Sequence, residues 1–442
     1  MKGFFRRKLF AKAETETTPQ GKIKIPSEPL SLEVPETKTD VKVQDDSKPN
    51  IFFCTMPPHN VDRPNEPETE CMLRIGMKEH ILSIPGFPEP VPTSDPTRYV
   101  IKPVKGGGIG LVATMNIDVG ELIVAERPLT LSTMTVPATG SSSVQQPTEL
   151  QRMMIERLRE KEYEEYFALN NCKGYTRPHV TGIADTNAVC IGSLPGYDKE
   201  CAAVCKVISR VRHSCCCNAV WVFHLESFTI QLRAVLPIKK GKEITISWGE
   251  ITDPRVDRQK YLLEKYKFEC TCTACATESP ESDQARAEAV SKSHANECSD
   301  DSALERWVDD PTLPDDLIIS ECHKMIDIYD KEQLYSTELW AVWYQRIVKA
   351  YCTLKDKKNA RKWAERAAKL SRAHVLHDAG WDAVAKDPKN TDWWGARASA
   401  RTRNRIRTES PKLEAIHFEK DIGGNGLVEL QPIFTSTGRR GR

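Results

Sequence analysis

The chain has 442 residues with 63 Lys and Arg against 62 Asp and Glu, a formal charge of +1; this is too long for one ordinary core and carries no global basic field, so nucleic acid is not expected as the main partner. Fifteen cysteines with no secretory signal pattern ahead of them fit free thiols and a metal site in a reducing, intracellular compartment better than a disulfide scaffold. No run reaches the ~18 apolar residues of a membrane span.

The first residues are basic and hold Phe4, Phe5, Leu9 and Phe10, but Glu14 and Glu16 follow at once, so a disordered start is expected here and not a targeting helix. Residues 14–96 are rich in Pro, Thr, Lys and Glu, and residues 1–96 are read as a largely disordered segment with a short helix near Cys71 to Ile84. Order begins at Arg98. A β-branched run reaches the glycines at 106–110, restarts at Leu111, turns at 116–120 and continues through 121–126. Short strands with tight turns argue for a small antiparallel β domain and against a doubly wound sheet. Taken alone, Gly108-Ile109-Gly110 reads as a hairpin turn, since no third glycine opens a helix.

Residues 130–147 are Ser/Thr-rich and read as a loop, and 149–169 have apolar residues at helical spacing. Asn187, in an apolar stretch, reads from the residues alone as a satisfied buried amide. A hairpin is expected around Glu226-Ser227, a strand over 243–248 and a helix over 257–265. Residues 278–314 read as a linker, whose polar part over 280–302 is either linker or frayed helix. Residues 315–380 read as a helical region in which helices over 339–354 and 359–374 resemble a tetratricopeptide hairpin, and 381–442 as a tail. Five arginines between Arg397 and Arg407 without an acid read as a solvated tail, or else as a contact for an acidic surface or nucleic acid.

The chemistry is concentrated in cysteines. Cys270, Cys272 and Cys275 form a C-x-C-x-x-C run, three ligands of a tetrahedral zinc site that lacks a local fourth. The triple Cys215-Cys216-Cys217 is the expected donor. Adjacent side chains point apart, so only one of the three is needed. Closing the site would pin the C-terminal cysteine loop against the His213-Ser214 segment.

These residues together resemble the SET-domain protein lysine methyltransferases over residues 98–275. The motifs fall in the family's order: Gly108-Ile109-Gly110, the segment 182–188 ending in Thr-Asn-Ala, Arg212-His213-Ser214-Cys215, the Glu-Ile-Thr-Ile-Ser strand from Glu243, and Phe268-Glu-Cys270 with its two further cysteines. The chain looks most like fungal SET proteins related to the SMYD group, without a MYND finger. The resemblance implies an α+β fold: small β-sheets with a pseudoknot and a post-SET zinc loop over 97–277, then an α-helical, TPR-like C-terminal region. It implies S-adenosylmethionine against Gly108, Ile109 and Gly110, against Asn187, Ser209, Arg212 and His213, and under Phe268. It implies zinc on Cys215, Cys270, Cys272 and Cys275, and a lysine channel at Trp248 and Tyr266.

Two positions depart from the pattern. Arg212 stands where the family has Asn, and Trp248 where it has the catalytic Tyr; Cys217 also replaces a Pro. The expected activity is methyl transfer to a lysine of a histone or other protein, in the nucleus or cytoplasm. The alternative is a catalytically impaired, zinc-stapled binding module with a partner protein on its helical region.

Overall fold

A computed structural model describes Lys22 and residues 51–59, 62–94, 96–134, 145–298 and 302–399. The first strands come from the segment expected to be disordered, which is a correction. β1 (Ile51–Met56) pairs antiparallel with β2 (Thr69–Arg74), and α1 (Met77–Leu82) follows. Met56, Cys71, Leu73, Met77 and Ile81 have no exposed surface. Burial of about five such side chains is worth several kcal/mol, enough to order two strands whose polar, proline-rich surroundings hide them.

β3 (Tyr99–Pro103) and β4 (Ile109–Ala113) form the hairpin expected across the glycine turn. β5 (Leu122–Glu126) follows, then β6 (Thr130–Thr133), which lies where a loop was expected. Its Ser/Thr composition masks a strand buried between β2 and β8. One helix was expected next; the chain makes two, α2 (Gln145–Ile155) and α3 (Glu160–Phe167), and then α4 (His179–Asn187). β7 (Val189–Leu194) and β8 (Tyr197–Val204) form a hairpin, and β9 (Arg212–His213) is a two-residue strand. β10 (Ala219–His224) and β11 (Thr229–Ala234) make the hairpin expected around Glu226-Ser227, before β12 (Glu243–Ile246) and α5 (Arg255–Tyr266).

These strands build three small sheets, ordered β1-β2-β6-β8-β7, β10-β11-β5 and β3-β4-β12-β9. In the last, β12 pairs antiparallel with β4 and parallel with β9, placing Thr245 opposite Arg212 and Ile246 opposite His213.

Beyond the cysteine loop the chain is helical. α6 (Pro280–Cys298) and α7 (Ser302–Asp309) occupy the stretch read as a linker. Of the two readings of residues 280–302, linker or frayed helix, the chain takes the helix, and its packing shows in Arg286, Ala289, Ser293, Leu304 and Trp307, all fully buried. α8 (Leu317–Glu332), α9 (Trp340–Thr353), α10 (Lys357–Val375) and α11 (Trp381–Lys386) complete the region. The start of the expected tail is also packed. Arg397 is buried with its guanidinium 4.5 Å from the Trp307 ring centroid and its Nε 2.9 Å from Asp315, so it is no solvated arginine. The rest of the arginine run from 400 lies outside the described residues.

The helices share a core with the sheets, since Val220, Val235 and Ile251 join Trp307, Trp340, Trp343 and Ala367 in one cluster. Gly120 shows how close the approach is. Its φ is +84°, and a Cβ there would stand 2.5 Å from the Lys369 carbonyl oxygen of α10, so only glycine fits. Among the described residues no helix is long and apolar enough to cross a membrane.

Candidate functional site

The site is built outward from β9. On one side Arg212 reaches the glycine turn between β3 and β4. Gly106, Gly107 and Gly108 have φ of +91°, +89° and +79°, a run that residues with a Cβ rarely adopt. Arg212 Nη1 donates to the carbonyls of Lys105 at 3.1 Å and Gly107 at 3.0 Å. Its Nε lies 3.3 Å from Glu243 Oε1. Desolvation raises the Glu243 carboxyl, and Arg212 opposes that rise. A Cβ at Gly110 would crowd the Glu243 carboxylate at 2.9 Å and the Val104 methyls at 3.2 and 3.3 Å. At Gly107 and Gly108 the backbone faces open space.

On the other side, His213 links an aromatic wall to the cysteines. Its Nδ1 accepts the Trp248 backbone N–H at 3.0 Å, and its Nε2 lies 3.3 Å from Cys215 Sγ. Because Nδ1 accepts, the ring proton is assigned to Nε2, which donates to the sulfur. Burial pushes the imidazole down to about 4, so it is neutral near pH 7. The Trp248 indole N–H donates to the Val211 carbonyl at 3.2 Å. Its ring centroid is 4.9 Å from that of Tyr266 and 5.7 Å from that of Phe268. Burial raises the Tyr266 phenol to about 12, with the neighbouring Lys265 opposing. Tyr261 donates to the Trp248 carbonyl at 3.4 Å and accepts from Lys265 Nζ at 2.9 Å.

The four cysteines singled out in the sequence come together. Cys215, Cys270, Cys272 and Cys275 hold their sulfurs within 4.8 Å of one another, and Cys215 and Cys275 are 3.5 Å apart. A tetrahedral ion with Zn–S bonds of ~2.3 Å needs sulfurs ~3.8 Å apart, so this donor set fits such an ion. Contact among the thiols pulls Cys272 down, with Cys215 the largest cause, and pushes Cys215 up, with Cys270 the largest cause. A bound cation would let all four ionise. The loop is clamped to α5 by Gln259, whose Nε2 donates to the Cys270 carbonyl at 2.7 Å and whose Oε1 accepts the Cys270 N–H at 2.8 Å. The other two thiols of the triple lie outside the four-sulfur set. Cys216 lies against the end of α8, 3.8 Å from the Glu332 carbonyl, and Cys217 is buried in its own environment.

Ser209 and Asn187 lie together on the remaining flank. Ser209 Oγ donates to the Asn187 carbonyl at 3.3 Å, while the Asn187 amide nitrogen donates to the carbonyls of Asn170 and Ile183, each at 2.7 Å. The buried-amide reading of its donor end therefore fits the geometry. Two contributors went unread in the sequence. Buried Arg258 donates to Cys275 Sγ at 3.8 Å, and nothing in its helical context marks it. Buried Glu126 accepts the N–H groups of Val207 at 3.0 Å and Ile208 at 2.6 Å, fixing the turn that delivers Ser209 to His213. Its signal was legible, since the alternation of β5 puts a carboxylate on the buried face of a strand.

The geometry agrees with comparisons against known proteins. The family model for the SET domain matches residues 108–249. Histone-lysine N-methyltransferase set5 of Schizosaccharomyces pombe is 27% identical over 180 residues, 41% of this chain and 51% of that protein. N-lysine methyltransferase SMYD2 of Homo sapiens is 30% identical over 122 residues, 28% of this chain and 24% of that protein. Histone-lysine N-methyltransferase ASHR1 of Arabidopsis thaliana is 41% identical over 70 residues, 16% of this chain and 14% of that protein. The matches thus span about half or less of each relative's length. Among solved structures, the SET domain of LSMT bound to lysine and AdoHcy matches at 14% identity over 72% of this chain and 89% of that one, with a TM-score of 0.27, too loose to carry an argument. Residues 108–249 match the SET domain, and over part of its length the chain is similar to SET-domain lysine methyltransferases.

Proposed function

We propose that the protein is an S-adenosylmethionine-dependent protein-lysine N-methyltransferase, acting on a lysine of a histone or other protein. The observation that carries this reading is the position of β9, whose Arg212 clasps the glycine turn while its His213 touches the aromatic wall and the cysteine cluster. The open face at Gly107 and Gly108 leaves room for a ligand against the turn. Gly108, Ile109, Gly110, Ser209, Arg212 and His213 would hold the cofactor, with Asn187 at the edge and Phe268 stacking on its adenine.

When bound, the cofactor supplies an electrophilic methyl on a sulfonium. The chain's own task is to deliver a neutral amine, although free lysine titrates near ~10.4, and to hold it in line. Tyr266 keeps its phenol proton across the working range, since burial puts it near about 12, and its oxygen can accept contacts from the amine and methyl. Trp248 cannot take the same part. The only polar hydrogen of its side chain is spent on the Val211 carbonyl, and indole offers no acceptor. Arg212 can pair with the cofactor's carboxylate by exchanging away from Glu243. Cys215, Cys270, Cys272 and Cys275 would hold zinc as a structural staple.

The Trp248 and Arg212 geometry also favours a second reading, a zinc-stapled pseudoenzyme that binds a partner through its helical region. Calorimetry with the cofactor, followed by a tritiated-methyl assay on histones and cell extract, separates them. Absence of cofactor binding at tens of micromolar would sink the enzyme reading, and robust turnover by the native chain would sink the second. Residence in the nucleus or cytoplasm accompanies either reading.

A further inference from the structure

The function proposed above names a lysine but not its surroundings. A cleft of about 330 Å³ opens between the turn ahead of α4 and the end of α5. It adjoins the proposed channel: the ammonium groups of Lys173 and Lys265 stand 5.9 and 5.3 Å from the Tyr266 ring centroid. Four cations line it, Lys173, Arg177, Lys265 and Lys267, against two carboxylates, Asp185 and Glu264. Arg177 and Asp185 are paired at 3.0 Å and largely cancel.

Three lysines then face one carboxylate. Lys173 donates to the Lys265 carbonyl and Lys265 to the Tyr261 hydroxyl, both neutral acceptors. Lysines near a helix C-terminus also answer the helix dipole, which accounts in part for Lys265 and Lys267. Lys173 arrives from a separate element; its ammonium caps the same helix end through the Lys265 carbonyl and also stands against the Tyr266 ring. The excess is not an echo of the whole chain, whose formal charge is only +1.

We propose that this cleft receives acidic residues beside the target lysine, so that the preferred substrate is a lysine in an acidic peptide segment. The inference rests on the methyltransferase reading for the identity of the neighbouring channel. Lysine- and arginine-dense segments are disfavoured by the same field.

The test is anisotropy with the full chain and lysine-centred peptides of one length, carrying Glu, Gln or Arg on both sides of the lysine. The Glu peptide is expected to bind about tenfold more tightly than the Gln peptide at low salt, with the advantage falling to about twofold in high salt as screening shortens the field. Lys173→Glu and Lys267→Glu are each expected to reduce the advantage several-fold, whereas Lys240→Glu, exposed in a distant turn, leaves it in place. Lys267 is itself exposed, so its variant does not disturb the core. Equal binding of Glu and Gln peptides, tighter binding of Arg peptides, no binding of the Glu peptide, or an advantage that survives in the double variant would each overturn the inference. Because the readout is binding, it is separable from the reading beneath it. Cofactor binding without acidic preference removes only the cleft proposal, and acidic preference without cofactor binding removes only the enzyme.

Discussion

The backbone N–H of Trp248 donates to His213 Nδ1 at 3.0 Å, and the same imidazole meets Cys215 Sγ at 3.3 Å. The residue proposed at the catalytic position is therefore two hydrogen bonds from the proposed metal cluster. Substitutions at Trp248 report on the channel alone only where the backbone stays in place.

Trp248→Tyr is the informative change. It keeps a large aromatic side chain and restores a phenol oxygen, so methyl transfer is expected to rise on the order of 10²-fold, the scale of one positioned catalytic group. Trp248→Phe should give no such gain, and neither should alter cofactor affinity by more than a few-fold. A tritiated-methyl assay with calorimetry compares them; a Tyr variant no faster than Phe would refute the assignment.

Metal analysis of freshly purified protein should find one zinc per chain. Cys272→Ser is expected to lose it and to expose residues 268–279 to hydrogen exchange, because the cluster holds that loop against Cys215. Cys216→Ser, outside the four, should keep the ion. Full zinc occupancy in Cys272→Ser would count against this ligand set.

Glu126 gives a pH dependence with a definite sign. Burial raises its carboxyl from 4.5 to about 7, opposed by the Ile208 and Val207 N–H groups. A group raised on folding contributes stability that is fully present below about 4.5 and is lost as pH rises through about 7, a total of roughly 3 kcal/mol. The stability difference between wild type and Glu126→Gln, from denaturant titrations, should fall across that window. A flat or rising difference curve would show that Glu126 is already ionised in the fold.

Arg286 has no exposed surface and meets the Ile251 carbonyl at 2.6 Å, the Glu332 carbonyl at 3.1 Å and the Glu332 carboxylate at 3.1 Å. Arg286→Met should cost about 3–5 kcal/mol by stranding a buried carboxylate, and adding Glu332→Gln should recover at least ~1 kcal/mol of it. Additive costs in the double variant, measured by chemical unfolding, would mean that the two side chains are not coupled.

Legibility in the sequence followed local pattern. The glycine hairpin, the strand from Glu243 and the cysteine spacing each announce themselves within a dozen residues, and all three are found in place. β1, β2 and β6 were missed because four- to six-residue strands among Pro, Thr and Ser show no period, and β2 and β6 order against each other from distant parts of the chain. Glu126 carried its meaning in register, and Arg397 in a stacking partner ninety positions earlier, Trp307. The basic cleft was invisible because Lys173 and Lys267 are neighbours only after folding.

The core that Val220, Val235 and Ile251 share with Trp307 and Trp340 bears on where this polypeptide can be cut. A fragment ending after Cys275 would keep the whole SET-domain match and yet present a bare apolar face where α9 and α10 had been. Residues 51–82 are as necessary at the other end. Where the chain can be cut is thus set by who covers whom, and both Ile51–Leu82 and the helices up to Arg397 contribute buried residues.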